Sequence, residues 1–494
     1  MHSLSRRQSV SAFELISIFV ALAAVALLQL TVTRCFDLFY HPLWLDEVFT
    51  SRMANDPSFA HLFRALAHGF DTNPPTLYLM LWPIARMLDV IDNSHLRLFA
   101  MLWMLFGMTG LYAICRRFFT RGPCIVAVLA VWAHPLIIDQ GFEARFYAPW
   151  LALTVWFCYL QMLATDDEPK PRLIARYVLG ILATAIHYFG AIAMFMIAAA
   201  DFLIHRKIKR IIPSLLGMLA IIACLPLMRG QRANLSIPTW IEPSTASDIR
   251  DDIVAIFGAP SFILVLLLMW SASLLRGRET SDHQPRGDLR ELLPMSSLIL
   301  LPLALIVFSK VIQPALVLRY LILAIVPMAP MFASLIQRSG RLAINMAILS
   351  LIALGAITII NKSHATRGLD TEFATAIAEI DRRVPPDGLI IFKRRREMYP
   401  ILQIRPDLAS RSAQLDFDDA VLPNVSRMSQ YERDMGRKGQ EIYSDLKMMK
   451  TDELSKLSRF FVVTPIDEYK ELQLELPGFD ISDPDGVLHV VKTR

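Results

Sequence analysis

Charge is scarce in this sequence. Only 19% of its 494 residues are charged, against 54% that are hydrophobic, and the mean hydropathy is +0.43. A soluble chain of this length carries more charge and shorter apolar runs, so that class is excluded. Cysteine is sparse too. Four of the five, Cys115, Cys124, Cys158 and Cys224, lie in or beside apolar runs. Without paired spacing they announce neither a disulfide framework nor a metal cluster and read as small buried hydrophobes. A nucleotide-binding glycine loop, an internal repeat and a low-complexity tract are all missing. The net charge of +5 is small, and no nucleic-acid partner is expected from it.

Long apolar runs are abundant. After Arg6 and Arg7 comes a run from Ala12 to Val32. It is too long for a signal-peptide core and no small-x-small site closes it, so it reads as a retained first span with a cytoplasmic N-terminus. Further runs fall at 96–115, 123–140, 146–164, 173–189, 190–205, 211–228, 254–275, 292–309, 319–336 and 342–360. Basic clusters punctuate them at Arg116/Arg117/Arg121, Lys170/Arg172, Arg206/Lys207/Lys209/Arg210, Arg276/Arg278/Arg286/Arg290 and Arg338/Arg341. All the clusters are cytoplasmic only if segment 75–91, with Pro83, Arg86 and Asp89, does not cross. The expected fold is a polytopic α-helical membrane protein of about eleven spans. Segment 75–91 then lies on the outer face as an amphipathic or re-entrant helix.

Two domains are expected. Residues 1–361 form the membrane domain, with a long first outer loop at 34–95. Residues 362–494 are charged and hold no span; β-like runs at Gly388–Phe392, Phe460–Thr464 and Val487–Lys492 alternate with polar helical stretches at 370–383 and 427–450. They read as a small extracytoplasmic α/β domain.

The same topology gathers polar residues at one membrane boundary. Asp46 and Glu47 follow Trp44 just where the chain leaves the bilayer; one carboxylate can act as general base while its neighbour sets its field or holds a cation. A solvated acidic turn is the plainer alternative. In GFEARFYAPW, 141–150, Arg145 offers a forked donor to a phosphate, or pairs with Glu143 beside an interfacial Tyr147. His187-Tyr188 and Arg319-Tyr320 sit at outer span ends; His187 can donate to a phosphate, ligate a metal or be a structural histidine, and Arg319 suits an anion site or an interfacial anchor. His134-Pro135 reads as a kink, and Asp71, before Asn73-Pro74-Pro75, as a helix N-cap. An anionic headgroup on a lipid tail suits this arrangement.

Six motifs in order carry a resemblance: WLDE at 44–47, NPPTLYLML at 73–81, Leu96-Arg97-Leu98, FEARFYA at 142–148, HYFG at 187–190 and RYLI at 319–322. Together the first 330 or so residues resemble the bacterial relatives of dolichyl-phosphate-mannose protein mannosyltransferases, including aminoarabinose transferases, which are membrane glycosyltransferases of the GT-C fold. The resemblance implies a polyprenyl-phosphate-sugar donor, flipped outward, and transfer of a hexose or pentose to a lipid, glycan or protein acceptor at the outer face of the inner membrane. It implies Asp46 as the base, with Glu47 beside it. Arg145, Tyr147, His187 and Arg319, joined by Asp71, Tyr188 and Tyr320, would hold the donor and stabilise the leaving polyprenyl phosphate. Thr72-Asn73 stands where relatives often carry histidine or an acidic–basic pair, so no metal ligand is assigned; a divalent cation is compatible with the site. Two alternatives are a transporter or flippase of a lipid-linked glycan, and a scaffold that has lost activity. Crowding of charge on one face, with no repeated halves, argues against the transporter.

Overall fold

The structure is a computed structural model. It describes residues 10–493 except 234, 238, 276–287, 419–424, 444, 446, 465–467 and 483–486. Arg6 and Arg7, and Arg276, Arg278 and Arg286 of the fifth basic cluster, lie outside the described residues.

Apolar sequence dictates a helical bundle. In a hydrocarbon layer every backbone polar group must be satisfied within its own segment. Among the described residues six helices are long and apolar enough to cross a membrane, or up to eight if each of two bent helix pairs is one span. The expected count of about eleven also included runs that form shorter helices, Tyr147–Met162, Lys170–Ile186 and Gly190–His205. The chain breaks at His134-Pro135, where helices Arg121–Trp132 and Pro135–Gly141 meet at 71°. It breaks again at His187. A Cβ at Gly190 would stand 2.1 Å from the Ala183 carbonyl oxygen, so only glycine lets the next helix start that close.

Segment 75–91 forms the helix Thr76–Met87, of 12 residues. At 1.5 Å per residue it is about 18 Å long, well short of a hydrocarbon core of about 30 Å. It follows two other short helices of the first loop, Leu45–Ala54 and Phe59–His68.

The last membrane helix, Arg341–Arg383, runs unbroken for 43 residues, past residue 361 and through the polar stretch 370–383. It leads into a six-stranded sheet: β1 Ile390–Phe392, β2 Ser412–Asp416, β3 Met448–Lys450, β4 Arg459–Val463, β5 Phe479–Ile481 and β6 Leu488–Thr493. The order is β3-β2-β1-β4-β6-β5; β1 pairs in parallel with β2 and β4, β2 in parallel with β3, and β6 antiparallel with β4 and β5. The polar helix expected at 427–450 ends at Ile442, and its last residues belong to β3.

Alternation along the strands assigns two buried faces. Ile390, Phe392, Phe461 and Val463 join the core that continues into the membrane helices. Ile391, Phe460 and Val462 face a second, smaller core. Polar contacts bind this domain to the first loop: Arg52 reaches Asp445 by two hydrogen bonds of 3.2 and 2.8 Å, and Tyr443 donates to Asp56 at 2.9 Å.

Candidate active site

Neighbours on a helix diverge by about 100°, and Asp46 and Glu47 on Leu45–Ala54 have different fates. Glu47 is buried against Arg97, itself 0% exposed. Arg97 donates from Nε to Oε1 at 3.0 Å and from Nη2 to Oε2 at 2.6 Å. The backbone N–H of Ala144 adds 2.8 Å to Oε1, and that of Trp44 adds 3.3 Å to Oε2. Burial pushes the Glu47 pKa up, but Arg97 outweighs it and the carboxyl stays below its ordinary range. Glu47 does not reach the cavity that Asp46 lines; it ties the first loop to the 142–146 turn.

Asp46 is partly exposed and pairs with Nη2 of Arg319 at 3.1 Å. The Arg319 guanidinium lies among four rings, Trp44 at 5.3 Å, Trp240 at 5.8 Å, and Tyr147 and Tyr320 at 5.9 Å. Such faces hold a cation without neutralising it. Its Nε has no hydrogen-bond partner among the described residues.

Arg145 pairs with Asp71, not with Glu143. Its Nη1 lies 2.7 Å from Asp71 Oδ2, 2.7 Å from the Asp46 carbonyl and 3.1 Å from Thr50 Oγ1. Asp71 also accepts from Tyr78 and Asn73. Burial raises the Asp71 pKa, and Arg145 with these donors brings it below the usual range. Asp71 caps no helix; the following one begins after Pro75. It orients Arg145 instead, whose Nε is unpartnered among the described residues. Glu143 is buried nearby without such a partner, and burial lifts its pKa to about 7.

Asp46, Asp71, Arg145, Tyr147, Arg319 and Tyr320 line one cavity of about 320 Å³. His187 and Tyr188 line an adjoining one of about 210 Å³, with Ile192, Ile221, Met228 and Phe308, and the two share Thr72, Asn73, Trp240, Tyr320 and Tyr431. His187 stacks on Trp150 at 4.4 Å and accepts from the Phe189 N–H through Nδ1 at 3.2 Å. With Nδ1 accepting, the neutral ring carries its proton on Nε2 and offers an uncharged donor. Tyr188 donates to Gln231 at 2.9 Å. Among the described residues no three His, Cys, Asp or Glu side chains group as a metal site.

Eight of the nine expected residues line one or other of the two cavities; only Glu47 is withdrawn. Sequence reasoning missed Trp240 and a whole wall from the C-terminal domain: Arg395, Arg396, Met428, Tyr431, Glu432 and Met435. One signal was present. The run Lys393-Arg394-Arg395-Arg396 is a dense basic cluster in a domain expected outside, against the positive-inside pattern.

Residues 72–228 match the family model described as dolichyl-phosphate-mannose-protein mannosyltransferase. No curated protein matches the chain by sequence. The whole fold does have counterparts. The crystal structure of ArnT from Cupriavidus metallidurans bound to undecaprenyl phosphate superposes with a TM-score of 0.60, at 14% identity, over 97% of this chain and 98% of that one. Its apo state gives 0.60 at 13% identity, over 98% of each chain. The chain has the GT-C fold. This GT-C likeness includes the C-terminal sheet, which lies beyond the matched family segment.

Proposed function

We propose that the chain transfers a sugar, hexose or pentose, from a polyprenyl-phosphate-linked donor to an acceptor hydroxyl at the outer face of the bacterial inner membrane, with Asp46 as general base. The acceptor is an envelope glycolipid, a glycan or a protein. The carrying observation is the Asp46–Arg319 pair, 3.1 Å apart and partly open to a cavity walled by Arg145, Tyr147 and Tyr320. The family match over 72–228 and the likeness to a protein solved with undecaprenyl phosphate support the same donor class.

The chemistry follows from the pair. Inverting transfer needs a base on the acceptor oxygen while the bond from anomeric carbon to phosphate oxygen breaks. A donor phosphate entering between Arg319 and Arg145 competes with Asp46 for Arg319. As the phosphate takes the guanidinium, the Asp46 carboxylate is released toward the acceptor hydroxyl and accepts its proton. The leaving phosphate gains charge just where the unpartnered Nε atoms of both arginines can meet it, so the stabilisation grows toward the transition state. The adjoining apolar cavity suits the first isoprene units of the tail.

The test compares envelope glycolipids and polyprenyl-phosphate sugars by mass spectrometry in wild-type, deletion and Asp46→Asn-complemented strains. The expected result is an acceptor lacking one sugar, with accumulated donor, in both the deletion and the Asn strain. An Asn protein present at normal level that restores the wild-type profile removes Asp46 as the base and brings the transporter forward.

A further inference from the structure

The wall that the C-terminal domain adds to the cavity contains a guanidinium with nothing to hold. Arg395 is 1% exposed and lines the same cavity as Arg145 and Arg319. Its Nε donates to Gln414 Oε1 at 3.0 Å. Its Nη1 and Nη2 are both buried without a hydrogen-bond partner among the described residues. The nearest carboxylate, Glu432, is spent elsewhere: it accepts from the Arg395 backbone N–H at 3.1 Å. Arg395 also lies over the Phe49 ring at 5.9 Å. The flanking arginines have no such vacancy, since Arg394 pairs with Glu468 and Glu471 and Arg396 with Glu397 and Glu468.

A buried charge without a partner is costly and persists where a partner arrives. Two free N–H groups of one planar fork match two oxygens of a phosphate or carboxylate. Arg395 also opens the helix Arg395–Ile404, whose N-terminus is already met by the Glu432 carboxylate, so an arriving oxyanion has the side-chain fork to bind. Gln414 and Phe49 both hold the guanidinium in place.

We propose that Arg395 forms an oxyanion subsite on the domain-side wall of the cavity, separate from the Arg145–Arg319 wall, and binds a phosphate or carboxylate group of a substrate. This rests on the transferase reading for the identity of the cavity but not for the binding itself. The oxyanion has two possible sources: a second anionic group on the acceptor, or the donor phosphate shared between the walls.

Trp44 and Trp240 line the cavity, so tryptophan fluorescence reads its occupancy. The full chain in uncharged lipid nanodiscs is titrated with undecaprenyl phosphate, and with inorganic phosphate after saturation by undecaprenyl phosphate. Wild type, R395Q, R395K and R319Q are compared. The expected result is that inorganic phosphate still binds the saturated wild type and weakens about ten-fold in R395Q, with R395K between, because the charged hydrogen bonds are lost in steps. R319Q weakens undecaprenyl phosphate instead. If R395Q weakens undecaprenyl phosphate and the saturated wild type takes no free phosphate, the oxyanion is the donor's and the subsite stands. If neither titration changes in R395Q, or in R395K should R395Q not fold, the subsite is overturned. Failure of undecaprenyl phosphate to bind any variant instead counts against the transferase reading, and the phosphate titration still decides Arg395.

Discussion

Two adjacent carboxylates show how burial divides labour between residues. Glu47 is 1% exposed and its oxygens are satisfied by Arg97 and backbone N–H groups. Removing its charge leaves the Arg97 guanidinium buried with backbone carbonyls of His41 and Pro42 but without its counter-ion, and breaking a buried pair in this way costs about 3–5 kcal/mol. Glu47→Gln is therefore expected to lower the thermal unfolding midpoint in detergent by several degrees. Asp46→Asn breaks one partly exposed pair and leaves Arg319 held by four aromatic rings, so it should lower the midpoint less than Glu47→Gln while abolishing transfer. Equal destabilisation by the two substitutions would contradict this division. The sequence pattern Asp-Glu after Trp44 could not separate the roles, because the partner that decides them, Arg97, stands fifty residues away along the chain.

At the scale of elements, the helix N-terminal segment after β1 carries charge in an unusual place. Lys393 is buried and reaches Glu468 at 2.9 Å and Glu471 at 2.8 Å. Glu475 and Glu397, buried beside these cations, have pKa values raised by burial to about 8 from an ordinary 4.5. Glu471 moves the other way: burial raises it, but Lys393 and the Ser426 N–H bring it to about 2. For the two raised groups the folded state holds protons that the unfolded chain has released between pH 4.5 and about 8. Their contribution to stability is full below pH 4.5 and is lost as pH rises toward 8. The opening free energy from amide exchange over β1 and β4, with the base-catalysed intrinsic rate divided out, should fall across that interval, and E475Q should flatten the dependence; an unchanged slope would remove Glu475 as its source. Strands β2, β3 and β5 were not foreseen; β1, β4 and β6 were legible from short β-branched and aromatic runs, and the spans from apolar length. The helix end at Ile442 was not, since 427–450 is polar throughout and the strand at Met448–Lys450 is defined only by pairing with β2. The domain wall of the cavity was hidden for the same reason: long-range packing, not local pattern, carries Tyr431 and Arg395 to Trp240 and Arg319.

The whole molecule is joined by one rigid connection and a set of docked contacts. Helix Arg341–Arg383 passes from the apolar bundle into the sheet domain without interruption. At the far side Asp434 accepts from the Ser236 N–H at 2.6 Å, and Lys438 donates to the Gln231 carbonyl at 2.8 Å. Gln231 in turn donates to the Asn73 carbonyl at 2.9 Å, so the domain's position is relayed to a residue shared by both cavities. A cavity with one wall on each body works only if they keep their spacing, and misplacement of about 1 Å can cost about a hundredfold in rate. A proline in the connecting helix tests this without touching the site. Thr371 is exposed, and Thr371→Pro removes a backbone hydrogen bond and kinks the helix at a local cost of about 3 kcal/mol. Undecaprenyl phosphate should bind the variant nearly as it binds wild type if the membrane wall alone holds it, while sugar transfer falls by about ten-fold or more. Retention of full transfer would mean that the docked contacts, not the helix, set the spacing, and the same measurement on Asp434→Ala would then show the loss.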